Sequence, residues 1–182
     1  MKKSILDLYE KLLQQSLKVP LLVDLAEHRS GSFIDELQEW LRTTEKILEE
    51  NRMPQCSELA GLRSKIVSAK YATNVPANKR RKHMTAVATE VLYAAQSTLL
   101  GVIEPMAHRI EEARESISQL LGVAYQTGMI NAAMDFNDIV QGLWQTFSSH
   151  EQLKGLTSKI LVSLNRSDAL RILADEIELI QD

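Results

Sequence analysis

Hydrophobic side chains recur every three or four residues through almost the whole chain, and the strict alternation typical of β-strands is missing from the sequence. Segment 33–51 is a clear example, since Ile34, Leu37, Leu41, Thr44 and Leu48 would share one side of a helix. A segment after Pro54 repeats the spacing with Leu59, Leu62, Ile66 and Ala69. We therefore predict an all-α fold, a compact bundle of about seven helices.

Capping residues and prolines predict where the helices begin and end. Ser4 and Asp7 are spaced as in a capping box, Ser30-Gly31-Ser32 supplies a break and an N-cap, and Ser167 is predicted to cap the last helix. A helix after Pro54 is expected to end before Asn74, and Pro20 to Arg29 is a candidate short helix. The other predicted helices are 4–18, 33–51, 79–103, 105–125, a returning helix up to His150, 151–164 and 167–180.

The helix from Lys79 to Ile103 is predicted to be central, because its apolar residues cover too wide a face for one exposed seam. Pro105 suits the first position of a further helix, although 99–121 could instead form one kinked helix. Gly128 marks a turn, after which Ile130 and Met134 open a returning helix. The segment from Pro105 to His150 is therefore predicted to form an antiparallel hairpin.

The length of 182 residues, without repeats or low-complexity stretches, predicts a single all-α domain, 1–182. The only cysteine, Cys56, excludes a disulfide within one chain and a zinc site made of cysteines. Charged Asp7 and Glu10 interrupt the apolar segment that a signal peptide needs, and the longest uncharged run, 91–103, is short and partly polar. We expect a cytoplasmic protein without membrane insertion.

Charge is distributed unevenly along this chain of net charge −3. From Arg52 to His83 there are eight Lys or Arg residues against Glu58 alone, whereas acids predominate after Leu100. Four cations, Lys79, Arg80, Arg81 and Lys82, stand at a predicted helix N-terminus, where the helix dipole disfavours positive charge. The segment 79–83 is therefore a candidate site for nucleic acid, another polyanion or an acidic partner, the alternative being a solvated loop.

Acidic residues cluster in two short motifs, Glu111-Glu112-Ala113-Arg114-Glu115 and Asp135-Phe136-Asn137-Asp138. The pair resembles the E-E-x-x-E and E-x-x-D motifs of the all-α nucleoside-triphosphate pyrophosphohydrolases. The resemblance implies Mg²⁺-dependent cleavage between the α and β phosphates, with Glu111, Glu112, Glu115, Asp135 and Asp138 as metal ligands. Asp135 departs from the family's Glu by one methylene. The alternative interpretation is an acidic helix surface with ordinary ion pairs to Arg109 and Arg114.

Other catalytic signatures are not found in the sequence: it has no H-E-x-x-H, no E-x-x-H and no P-loop glycine motif. Helices dominate and convergent catalytic groups are scarce, so our leading hypothesis is a non-catalytic interaction protein that needs no cofactor. Such a protein would act as an adaptor, regulator or assembly subunit and would bind another protein or a second copy of itself. Polyanion binding and Mg²⁺-dependent pyrophosphohydrolysis are the two alternatives.

Overall fold

The computed structural model describes residues 3–72, 75–129 and 135–181, and within these ranges it contains helices and no strand. The all-α prediction is confirmed. Predicted features at Asn74, Ile130 and Met134 lie outside the described residues. The helices are α1 (Ile5–Ser16), α2 (Val19–Glu27), α3 (Phe33–Glu50), α4 (Gln55–Lys70), α5 (Ala77–Gln126), α6 (Phe136–Ser149), α7 (Lys154–Ser163) and α8 (Arg166–Gln181).

The backbone contacts divide the chain into two compact units. Unit 1 comprises Met1–Asp7 and Pro105–Asp182, and unit 2 comprises Leu8–Glu104. The boundaries fall inside α1 and α5, so each of these two helices contributes to both units. That the whole chain behaves as a single domain stays a prediction.

The long helix α5 runs without interruption through Pro105, so the predicted start of a new helix at this residue is wrong and the continuous alternative is right. Proline lacks an N–H and therefore cannot donate to the carbonyl of Gly101, which normally costs about 3 kcal/mol in a helix interior. Burial on both sides of the proline offsets this cost. Leu99 and Val102 are buried in unit 2, and Ile110 and Ala113 are buried in unit 1.

The core of unit 2 follows the predicted helical spacing closely. Four of the five positions predicted on α3 are fully buried, with Ile34 intermediate, and all four predicted on α4 are buried. Trp40 adds a buried ring whose indole N–H donates to the carbonyl of Gln15 at 3.0 Å, which ties α3 to the end of α1. From α5 the core receives Ala88, Val91, Leu92, Ala95, Leu99, Val102 and Ile103.

The core of unit 1 is built from the second part of α5 and from α6, α7 and α8. The aromatic side chains of Trp144 and Phe147 on α6 are buried, as are Ile160 on α7 and Ile172 on α8. The hydroxyl of Thr157 donates to the carbonyl of Phe147 at 3.1 Å, which satisfies a buried polar group where α7 begins to pack on α6. The α5 side chains in this core are Ile110, Ala113, Ile117, Leu120, Leu121 and Ala124.

A buried carboxylate joins the N-termini of α1 and α8. Asp168 is only 3% exposed, and its oxygens accept hydrogen bonds from the Ser4 hydroxyl at 2.6 Å and the Ile5 amide at 2.8 Å. The predicted cap at Ser4 is confirmed, since its hydroxyl also accepts from the Asp7 amide. The predicted cap at Ser167 is wrong: α8 starts one residue earlier, and Asn165 Oδ1 accepts from the Asp168 amide at 2.8 Å. Asp168 is therefore free to cap a second helix.

Replacing Asp168 by alanine should lower the free energy of unfolding by about 2–3 kcal/mol, because the Ser4 hydroxyl and the first amides of α1 would lose a charged acceptor. Urea denaturation followed by circular dichroism measures the change. Asp175→Ala, which removes an exposed carboxylate from the same helix, serves as the control and should change stability by less than about 0.5 kcal/mol. Equal effects of the two variants would contradict the capping role.

Among the described residues, three helices end on a residue in the left-handed region of φ. Gly128 has φ +67°, whereas Arg29 and Arg52 have φ +52° and +58°. After each, the next amide donates to a carbonyl five residues back, as from Met53 to Leu48 at 2.9 Å and from Ser30 to Leu25 at 2.9 Å. These are Schellman caps, a position where glycine carries no steric penalty and arginine does.

Replacing Arg52 by glycine should raise the free energy of unfolding by about 0.5–1 kcal/mol, because the strained left-handed conformation is relieved. Thermal unfolding of the purified protein measures the gain. Arg52→Ala removes the same charge but retains a Cβ at positive φ, and it should give no such gain. An equal stability increase in both variants would assign the effect to the lost charge.

Candidate functional site

The five carboxylates proposed as metal ligands are all exposed. Glu111, Glu112 and Glu115 lie on α5, and Asp138 lies in the first turn of α6. Asp135 is the N-cap of α6, and its Oδ1 accepts from the Asn137 amide at 3.0 Å. One of the five therefore has a structural use as a helix cap.

These carboxylates have neighbours other than one another. Glu112 Oε1 lies 3.6 Å from His108 Nδ1 and lines a small cleft with Lys159, while Asp138 lines a different cleft with Met129 and Thr146. Across residues 3–72, 75–129 and 135–181, no three His, Cys, Asp or Glu side chains are placed to hold a metal ion. The pyrophosphohydrolase hypothesis therefore continues to rest on sequence spacing.

Arg114, within the acidic motif, is directed towards α8. Its Nε lies 3.4 Å from Glu176 Oε1, and the Ser118 hydroxyl donates to Glu176 Oε2 at 2.8 Å. Arg114 Nε itself has no partner with hydrogen-bond geometry, so the contact with Glu176 is an ion pair. Part of the acidic motif thus contributes to helix packing in unit 1.

The basic residues Lys79, Arg80, Arg81 and Lys82 occupy the first two turns of α5, and all four are exposed. The first turn of α5 contains no acidic residue to complement its positive end. No salt bridge joins any of the four cations to a carboxylate within the described parts of the chain. Their positive charge is therefore available to a partner.

An open groove lies between α4 and the start of α5, inside unit 2. His83 and Val87 line it from α5, and the α4 side contributes Gly61, Ser64, Lys65, Ser68, Ala69 and Ala72. Helical periodicity places Lys79 and Arg80 one turn before His83 on this same side of α5, and Arg81 and Lys82 on the other side. We call the groove, with Lys79 and Arg80, the basic groove.

Tyr71 stands at the C-terminal end of α4, next to the groove residue Ala72, and is 71% exposed. The basic run itself contains no aromatic residue. Tyr71 lies eight residues before the run, so the sequence spacing alone gave no reason to associate its ring with the cations. The exposed ring belongs to the residue that precedes a groove residue in the chain.

A second surface lies on the outer side of α5 in unit 2. Tyr93 is 53% exposed and Leu100 is 37% exposed, and they line a shallow depression with Gln96, Ser97, Gly101 and Glu104. Ala94 is also exposed on this side. We call Tyr93, Ala94, Ser97, Leu100 and Gly101 the outer α5 surface.

His28 at the C-terminal end of α2 has a pKa raised above its ordinary value of 6.5. The main cause is the hydrogen bond from its Nδ1 to the backbone carbonyl of Asp24 at 2.9 Å, and the Asp24 carboxylate adds to it. The ring is fully exposed, so water screens this interaction. His28 is a helix C-cap in the described structure, and no other chemistry is assigned to it.

By length and composition, α5 contains an 18-residue window apolar enough to cross a membrane, with mean hydropathy 1.4. In the structure 39% of this window is buried, and core helices meet the same criterion. The expectations of a cytoplasmic location and of no membrane insertion stay predictions.

Comparisons with models of protein families, with curated proteins and with solved structures found no match for this chain.

Replacing the whole run Lys79 to Lys82 by alanine should raise the free energy of unfolding by about 1 kcal/mol, because repulsion among four cations at a positive helix end is removed. Alanine also has the highest helix propensity. Thermal denaturation at low salt measures the gain. Lys65→Ala, in the middle of α4, should change stability by less than about 0.5 kcal/mol. A clear loss of stability in the four-residue variant would show that these cations support the fold.

Proposed function

We propose that this chain is a non-catalytic interaction protein that binds a second copy of itself through the outer α5 surface. The observation that carries the proposal is the arrangement of large and small residues on this exposed part of α5. Tyr93 and Leu100 project from it, whereas Ala94, Ser97 and Gly101 leave room beside them. Helix pairs approach closely where large side chains of one helix fit over small residues of the other.

The arrangement is symmetric about Ser97. In an antiparallel pair of α5 helices crossing at this residue, Tyr93 of one copy would face Gly101 of the other, and Leu100 would face Ala94. A twofold axis repeats each contact, so one complementary pair of positions supplies two contacts. Burying the exposed parts of Tyr93 and Leu100 in both copies would supply the apolar contribution to the free energy of association.

Gly101 is compatible with the same interpretation. A glycine in a helix interior costs about 1 kcal/mol relative to alanine, and a Cβ built at this position would meet no atom within 4 Å. Packing within the described structure therefore does not require glycine here, as is true of the other six glycines. Gly101 leaves room for a second helix at the centre of the proposed contact.

Glu90 and Glu104 are the unfavourable part of the arrangement. They lie at equal distances before and after Ser97, so they would face each other in the antiparallel pair and repel. The contact is also confined to one helix face and is smaller than a standard interface, and we expect reversible, concentration-dependent association.

Replacing Gly101 by leucine should abolish the dimer while leaving the monomer folded, because a side chain would fill the space over which Tyr93 fits and would also favour the helix. Sedimentation velocity over a wide range of protein concentration measures the association. The matched control is Gly142→Leu in α6, where a Cβ also meets nothing within 4 Å.

Replacing Glu104 by lysine should strengthen the dimer about tenfold, because two repulsive pairs would become attractive. A wild-type protein that remains monomeric at every concentration would contradict the proposal. Dimerisation that Gly101→Leu leaves unchanged would place the contact elsewhere on the molecule.

A further inference from the structure

We propose that the basic groove binds single-stranded nucleic acid, with its cations contacting phosphates and Tyr71 stacking on a base. This site differs from the outer α5 surface in residues and in chemistry. The observations that support it are cations without a salt bridge among the described residues, hydroxyls on the groove wall, and the exposed ring of Tyr71, the residue before Ala72 of that wall.

The cations are placed along the two walls of the groove. Lys65 is on the α4 wall, and Lys79 and Arg80 continue the α5 wall one turn before His83. None of these three cations forms a salt bridge within the described ranges, so a phosphate need not displace a carboxylate. Arg63, by contrast, is already paired with Glu45 at 3.0 Å and is not counted among the binding groups.

Hydroxyl groups on α4 complement the charges. Ser64 and Ser68 line the same wall as Lys65, and both are exposed. The Ser64 hydroxyl donates to the Ala60 carbonyl in the free protein, and its oxygen can accept from a ribose hydroxyl or an amino group. A groove lined by cations and hydroxyls is typical of a surface that follows a sugar–phosphate backbone.

Tyr71 favours a single strand over other polyanions. Its ring is largely exposed and belongs to the residue before Ala72, which lines the groove, so we expect an unpaired base of a bound strand to stack on it. A duplex keeps its bases stacked inside, and a lipid headgroup or an acidic peptide provides no base. Stacking tolerates any base, so we expect little sequence preference.

The first experiment measures fluorescence anisotropy of a labelled oligothymidylate at several salt concentrations. Three phosphate contacts predict a slope of about −2 in log K against log salt concentration. Arg80→Ala should weaken binding several-fold and reduce the slope by about 0.7. Arg81→Ala is the matched control, since it removes the same charge one residue later on the other side of α5, and it should have a clearly smaller effect.

The second experiment separates stacking from charge. Tyr71→Ala should weaken binding about tenfold without altering the salt slope, whereas Tyr71→Phe, which retains the ring, should bind nearly as well as wild type. A loss with the alanine variant and rescue by phenylalanine is an outcome that a purely electrostatic surface would not produce.

Several results would overturn the proposal. These are no binding to the oligonucleotide at low salt, equal losses in Arg80→Ala and Arg81→Ala, no effect of Tyr71→Ala, or tighter binding to a duplex or to phosphatidylserine vesicles than to the single strand. Repeating the measurement with Gly101→Leu separates this proposal from self-association. Binding retained in that variant supports a groove that works in one copy of the chain, and binding lost would overturn it.

Discussion

The burial of one side of α5 is the constraint on which the other features depend. This helix is 50 residues long, and its inner side supplies core residues to both units, from Ala88 to Ile103 in unit 2 and from Ile110 to Ala124 in unit 1. Because apolar burial fixes which side of a helix faces the core, every other position on α5 must face solvent or a partner. The α5 residues of the basic groove and of the outer α5 surface are accessible because they lie outside the buried side of the helix.

Charged side chains are used differently in the two units. In unit 1 three carboxylates have partners: Glu176 accepts from Ser118 and lies near Arg114, Asp135 caps α6, and Asp168 caps α1. At the N-terminal end of α5 four cations stand together without a carboxylate partner among the described residues, at a helix end that disfavours them. Charges that oppose local stability are better candidates for function than charges that support it.

Two departures from good helix chemistry lie close together on α5, namely Gly101 and Pro105. Glycine lowers helix stability, and proline deprives the Gly101 carbonyl of its usual donor. The helix nevertheless continues, since the residues on either side are anchored in the core of one unit or the other. Packing thus overrides local propensity here, and the exposed stretch before the proline retains a narrow, small-residue surface.

The sequence by itself determined the all-α class, most helix positions, four of the six buried residues of α3 and all four of α4. In a helix of 3.6 residues per turn, the spacing of residues determines which side of the helix they occupy. It also identified the cations 79–82 as unusual. The sequence did not determine whether α5 would pass through Pro105, that Asn165 rather than Ser167 would cap α8, or that Tyr71 would be exposed. Nor did it separate Arg80 from Arg81, or show that the five candidate metal ligands have different neighbours. Only the tertiary structure decided these points, since each depends on the free energy of contacts between residues far apart in the chain, which local spacing does not encode.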